Sequence, residues 1–115
     1  MDIWRLPPLL IIHLKRFETR GHRSEKLKWH VDYPIEKLDL NKYVVNDDLE
    51  TNMDNYRLYA VSNHCGDMEF GHSTAMCRHL ELNEWFNFDD ERISKVHKRE
   101  SIVSSYAYIL FYSRI

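Results

Sequence analysis

Between residues 56 and 112 the chain breaks into short β-prone runs, and that punctuation constrains the fold more than any other feature. "YRLYAVSN" (56–63), "HSTAMCRHL" (72–80), "EWFNF" (84–88) and "YAYILFY" (106–112) are aromatic, β-branched or alternating. Such residues suit a pleated, half-buried surface. The segments at 62–71 and 81–84 are expected to close antiparallel hairpins. Upstream, "LLIIHLKRF" (9–17), bounded by Pro8 and Gly21, reads as a strand that starts buried and then alternates. Arg92 to Val96 adds a short strand, and 98–105 a short helix. Residues 30–44 carry Pro34 and settle on no period, so they read as a short strand followed by irregular structure. Gly21 to Lys28 is a charged turn region, and Asn46 to Asn55 a polar acidic loop. About six strands with little helix make a sheet-dominated α+β domain.

At 115 residues the chain fits one domain with a buried core. Its net charge of −2 implies no basic surface, which sets aside nucleic acid and anionic membranes as partners. The longest apolar run near the N-terminus, Leu9 to Ile12, is too short for a signal h-region or a membrane-inserted helix. Cys65 and Cys77 lack a C-x-x-C spacing, so no disulfide framework is expected and a reducing cytoplasm or nucleus is the expected compartment.

Chemistry concentrates in "SNHCGDMEFGHSTA" (62–75) and "FDD" (88–90). His72 opens one expected strand, and Asp89 and Asp90 close the next, seventeen residues on. Across a hairpin these form the base-and-orienter part of a nucleophilic triad: a carboxylate holds one imidazole nitrogen while the other serves a thiol or hydroxyl. The chain has seven histidines, however, and spacing alone favours ordinary polar residues shared by neighbouring strands.

Six collinear blocks change that balance. "LPPLLIIHLKRF", "VDYPIEKLDL", "YRLYAVSNH", "GHSTAMCRH", "WFNFDDERIS" and "AYILFYSR" resemble the C-terminal half of the ubiquitin-specific protease catalytic domain, over nearly the whole chain. The resemblance implies that 1–115 is the mainly antiparallel palm of a papain-like cysteine protease. The helical, nucleophile-bearing half and the zinc-binding fingers of that family have no counterpart here. It implies that His72 is the general base, Asp89 its orienting carboxylate and Asp90 the second acid. It also places the loop Gly66 to Gly71 beside the channel for the ubiquitin tail, with Asn63 and His64 on the approach and Asp67 and Glu69 as acceptors for a basic tail. The implied partners are ubiquitin or a ubiquitinated protein, together with a chain supplying the missing half-domain.

The family's nucleophile lies in an upstream cysteine box that nothing in this chain resembles. Cys65 stands where the family has an aromatic residue and reads as a bystander, and Cys77 reads as small core filling. The chain is therefore expected to be inactive alone, either as a partial record of an enzyme with Met1 internal, or as a non-catalytic ubiquitin-binding pseudoenzyme. The family's histidine is preceded by two glycines and followed by an aromatic residue. Here Phe70 replaces one of those glycines and Ser73 the aromatic. His64, Cys65, His72, Cys77 and His79 are all metal-ligand types, but they lack the paired spacing of structural zinc, so no metal and no cofactor are expected. His13 and Lys15 are read as structural, and Tyr106, Tyr108, Phe111 and Tyr112 as packing residues.

Overall fold

The chain leaves Pro8 directly into an edge strand, β1 (Leu9–His13), that pairs antiparallel with the last strand of the protein. A computed structural model describes residues 3–20, 23–26, 30–45, 55–66 and 70–115; most of the acidic loop at 46–55 lies outside them. The other strands are β2 (Phe17–Arg20), β3 (Arg23–Lys26), β4 (Tyr56–Cys65), β5 (His72–His79), β6 (Glu84–Asp89), β7 (Arg92–Lys95) and β8 (Ala107–Arg114). Six of them form one antiparallel sheet in the order β1-β8-β4-β5-β6-β7, and β2 and β3 form a separate ribbon. No helix among the described residues is long and apolar enough to cross a membrane.

The sheet-dominated reading holds, with local corrections. The strand expected over 9–17 breaks after His13, because Arg16 turns inward and donates its guanidinium to the Ala107 carbonyl. The region read as a charged turn contains β3, which pairs with β2 just before it in a ribbon whose ladder joins Phe17 to Lys26 and Arg20 to Arg23. Backbone pairing of this kind needs no apolar pattern to announce it. The helix expected over 98–105 contracts to one 3₁₀ turn, Arg99–Ile102, around the fully buried Ile102. No strand forms in 30–45; Leu38 makes only an isolated bridge to Tyr56, and a second 3₁₀ turn spans Asn41–Tyr43.

Alternation gives the sheet one buried and one open face. Tyr56, Leu58 and Val61 of β4, with Ala107, Leu110 and Tyr112 of β8, are all at or below 2% exposure. Irregular chain covers them: Leu6, Tyr33, Leu40 and Ile102 complete the same core, with Ile35, Leu38, Val96 and Val103 packed around it. Its backbone is tied down by side chains from below. Tyr112 donates to the Pro34 carbonyl at 2.8 Å, Tyr33 to that of Ile102 at 2.5 Å, Tyr56 to that of Pro7, and Arg114 to that of Leu6 at 2.7 Å. Burial pushes the Tyr33 phenol up to about 12 and raises that of Tyr112 as well, so both remain hydrogen-bond donors at any ordinary pH. The opposite face leaves Leu9, Ile11, Phe88 and Ile93 exposed.

Leu58→Ala is expected to destabilise the protein by about 2–5 kcal/mol through lost burial and a residual cavity. Ile11→Ala, on the open face, should cost under about 1 kcal/mol. Chemical denaturation of both variants would check this; equal losses would show that the core is not where the burial places it.

Candidate functional site

His72 is the first residue of β5 and Asp89 the last of β6. The β5–β6 register pairs Ala75 with Phe88, which sets Asp89 opposite Thr74 and so on the same face as His72, one step along. His72 Nε2 lies 2.7 Å from Asp89 Oδ1, with the two side chains 51% and 44% exposed. The hydrogen bond to Asp89, then its charge, hold the imidazole pKa above its ordinary 6.5; the charge of Asp90 adds to the rise and slight desolvation opposes it. With Nε2 engaged by Asp89, Nδ1 is the nitrogen left for proton transfer.

Asp90 begins the turn into β7 with a left-handed φ of 51°. It offers an oxygen within 4.8 Å of the ligating atoms of His72 and Asp89, and these three are the described residues that could together grip a metal ion. The 2.7 Å separation of His72 and Asp89 is a hydrogen-bond distance, shorter than the ~3.4 Å between neighbouring ligands of tetrahedral zinc.

The chain turns sharply before His72. Gly66 has φ +97°, and a Cβ built there would stand 3.0 Å from the Gly71 Cα and 3.4 Å from the Phe70 carbonyl oxygen. The strands leaving and re-entering the sheet thus approach backbone to backbone, a contact only glycine permits. Asp67 and Glu69 lie outside the described residues, and Phe70 is exposed.

Asn63 and Cys65 share the face of His72, because Cys65 pairs directly with His72 and Asn63 with Thr74. Together with Met76, Val103 and Tyr106 they line a cavity of about 450 Å³ beside the histidine. Asn63 is 6% exposed, and its Oδ1 has no hydrogen-bond partner among the described residues. His64 points to the other face, its ring 5.9 Å from that of Tyr108. Cys77 and His79 also alternate onto that far face, so the five nitrogen and sulfur ligand types of 64–79 are not brought together. Burial raises the Cys77 thiol pKa, but the residue is half-buried on the face away from the core and so does not fill it as the sequence reading expected; Cys65 is exposed.

Several residues that line the cavity escaped the sequence reading, Asn87 and Tyr106 among them. Asn87 sits two residues before Asp89 and therefore on its face, a signal that period-2 alternation carries. Tyr106, read as packing, is 53% exposed and forms part of the cavity wall. Nothing local marks Tyr106, since it reaches the site only through the pairing of β8 with β4.

The family model described as "Ubiquitin carboxyl-terminal hydrolase" matches residues 1–112. Ubiquitin carboxyl-terminal hydrolase 9 of Arabidopsis thaliana is 44% identical over 115 residues, covering 100% of this chain and 12% of that protein. Ubiquitin carboxyl-terminal hydrolase 15 of Rattus norvegicus is 41% identical over 114 residues, covering 99% of this chain and again 12% of that protein. Among solved structures, the SAGA Ubp8/Sgf11/Sus1/Sgf73 DUB module bound to ubiquitin aldehyde superposes with a TM-score of 0.85 at 28% identity. That match covers 99% of this chain and 26% of the matched one. The chain therefore spans a small part of the length of the relatives it matches.

Asp89→Ala should lower the His72 pKa toward 6.5, because the hydrogen bond and the charge that are the two largest causes of its rise are lost together. An NMR titration of the imidazole would show it, and an unchanged midpoint would refute the coupling. The sign for stability follows. The folded state's raised pKa contributes stability that is full below the unfolded value of about 6.5 and is lost as pH rises through the folded value. Gly66→Ala should destabilise by about 1–3 kcal/mol from its left-handed backbone, as measured by thermal unfolding.

Proposed function

This chain belongs to the ubiquitin carboxyl-terminal hydrolase family, and from that membership we propose that it carries the base-and-orienter part of a thiol-dependent deubiquitinase site. The observation that carries the reading is the 2.7 Å bond from His72 Nε2 to Asp89, which leaves Nδ1 for proton transfer at a residue that lines the cavity with Asn63 and Cys65. In the complete site, a cysteine supplied from outside residues 1–115 transfers its thiol proton to His72 Nδ1. The thiolate attacks the carbonyl carbon of the ubiquitin C-terminal glycine. The imidazolium, held by Asp89 and favoured by the field of Asp90, returns that proton to the departing amine. Water then adds to the thioester, giving up a proton to His72, and releases the ubiquitin carboxylate and the thiol.

The substrate is a ubiquitin conjugate, a reading supported by the ubiquitin aldehyde bound in the related Ubp8 module. Gly66 and Gly71 put no side chain beside His72, which suits a glycine-terminated tail; Asn63 lines the cavity, and His64, Asp67 and Glu69 are further candidates by their place in the sequence. Sgf11, Sus1 and Sgf73 accompany Ubp8 in that module, and a segment from outside residues 1–115, on the same or a partner chain, is the proposed source of the nucleophilic half. On this reading the chain alone does not hydrolyse ubiquitin conjugates.

A second reading has one observation in its favour. Cys65 is an exposed thiol set directly across the ladder from His72, so the chain would carry its own nucleophile. A ubiquitin probe with a thiol-reactive C-terminus separates the two. The proposed function predicts that the isolated chain binds ubiquitin without forming an adduct. Adduct formation that disappears in Cys65→Ser would sink it in favour of Cys65.

A further inference from the structure

At the other end of β5 the electrostatics reverse. Arg78 lies six residues beyond His72, which along a strand is about 20 Å. Its side chain is 3% exposed and meets Glu36 at 3.2 Å. The same carboxylate also serves Arg57, at 3.2 Å, and Arg99, so one acid faces three guanidinium groups. Only one of those three positive charges is balanced, even though Asn83 accepts from Arg78 at 2.9 Å, because an amide carries no charge. Burial, and after it the charge of Arg57, push the Arg78 pKa below its ordinary value.

Beside this cluster is a pocket of about 250 Å³ whose wall includes Trp85, Lys95, His97, Arg99 and Ile102. Its one acid, Glu84, is engaged by Lys95 at 3.0 Å. Two buried donors behind the wall have no acceptor among the described residues: the indole Nε1 of Trp85 and Nε of Arg78. They belong to neighbours, since the Arg78 guanidinium sits 5.2 Å from the Trp85 ring centroid. A network that served structure alone would have satisfied them, because buried donors are almost always paired. Lys95 and Arg99, which line the pocket, are about half exposed.

We propose that the pocket formed by Trp85, Lys95, His97 and Arg99, backed by Arg78, binds an oxyanion group presented by a peptide side chain. The volume suits a single carboxylate or phosphoryl side chain rather than a nucleotide. Planar guanidinium donors match either group, and the indole N–H supplies a neutral donor that accepts no competing proton. The site lies apart from His72 and needs neither the nucleophile nor ubiquitin, so its failure would leave the deubiquitinase reading where it stands.

The test is the indole N–H resonance of Trp85, identified by its loss in Trp85→Phe, during titration of the chain with inorganic phosphate. A saturable shift is expected, weakened about tenfold in Arg99→Gln and in Lys95→Gln and unaltered in Lys42→Gln. Chloride at equal ionic strength reproducing the shift would overturn the site, as would an absence of saturation or an unchanged titration in Arg99→Gln and Lys95→Gln. A phosphoserine peptide and a glutamate peptide separate the two sources of the anion. Whichever binds more tightly than free phosphate identifies the group recognised; if neither does, a peptide occupant is excluded.

Discussion

The structure depends on a problem of hydrogen bonding under a core. One face of the sheet is covered by chain that forms no helix and almost no strand, so the covering backbone cannot satisfy its own carbonyls. Left unmade, each of those bonds would cost about 1–3 kcal/mol. The sheet and the cover solve this with phenol groups. Tyr112 reaches up to Pro34, Tyr56 reaches Pro7, and Tyr33 within the cover closes on Ile102. Each tyrosine buries a ring in the core and delivers an O–H to an otherwise unserved carbonyl, which lets irregular chain do the work of a helical layer. Leu38 and Leu58 add backbone bonds to the same lattice, joining the cover to β4 at its first strand residues.

That solution also sets where the chemistry sits. Cover and sheet meet along the half of β4 nearest Tyr56, whereas the far half, Asn63 to Cys65, emerges at a cavity. A register shift between Ser62 and Asn63 lets β8 keep its pairing while the end of β4 turns toward β5. His72 and Asp89 then occupy the same face as Tyr56 and Leu58, but beyond the edge of the packed cover. The geometry of the His72–Asp89 pair is in this sense an extension of the core ladder into solvent. On the proposed reading, one strand pair carries packing residues at one end and proton-transfer residues at the other.

Much of this was legible in the sequence, because hairpins are local. Runs from 56 to 112 announced β4, β5, β6 and β8 by residue type, and the positions of His72 and of Asp89 at strand ends followed from those runs. The glycines flanking the loop before His72 were also readable, although only the structure shows Gly66 and Gly71 in backbone contact. The cover was not legible, for a physical reason. Its stabilising bonds join residues 69 and 78 positions apart, so no local period encodes them. The β2–β3 ribbon escaped for a different reason: its pairing is made by backbone, and after Phe17 its strand residues are all polar. The division of Asn63 from His64 needed the register, since adjacent residues in a strand look equivalent until one knows which face is inside.

The exposure of the His72–Asp89 pair carries its own consequence. At roughly half exposure, water screens the carboxylate that raises the imidazole pKa, so the coupling is weaker than the same geometry would give in a dry site. Proton transfer to His72 from a thiol needs the opposite condition, with the imidazolium stabilised at low dielectric by a fixed carboxylate. On the proposed reading, whatever segment brings the thiol must therefore also exclude water. The wall it would meet is suited to that: Met76, Val103 and Tyr106 present apolar surface, and the Asn63 amide oxygen offers a single buried acceptor to an incoming backbone N–H. Nucleophile delivery and desolvation then become one event. The base is already aimed by Asp89, and its strength is set only when the cavity beside it is filled.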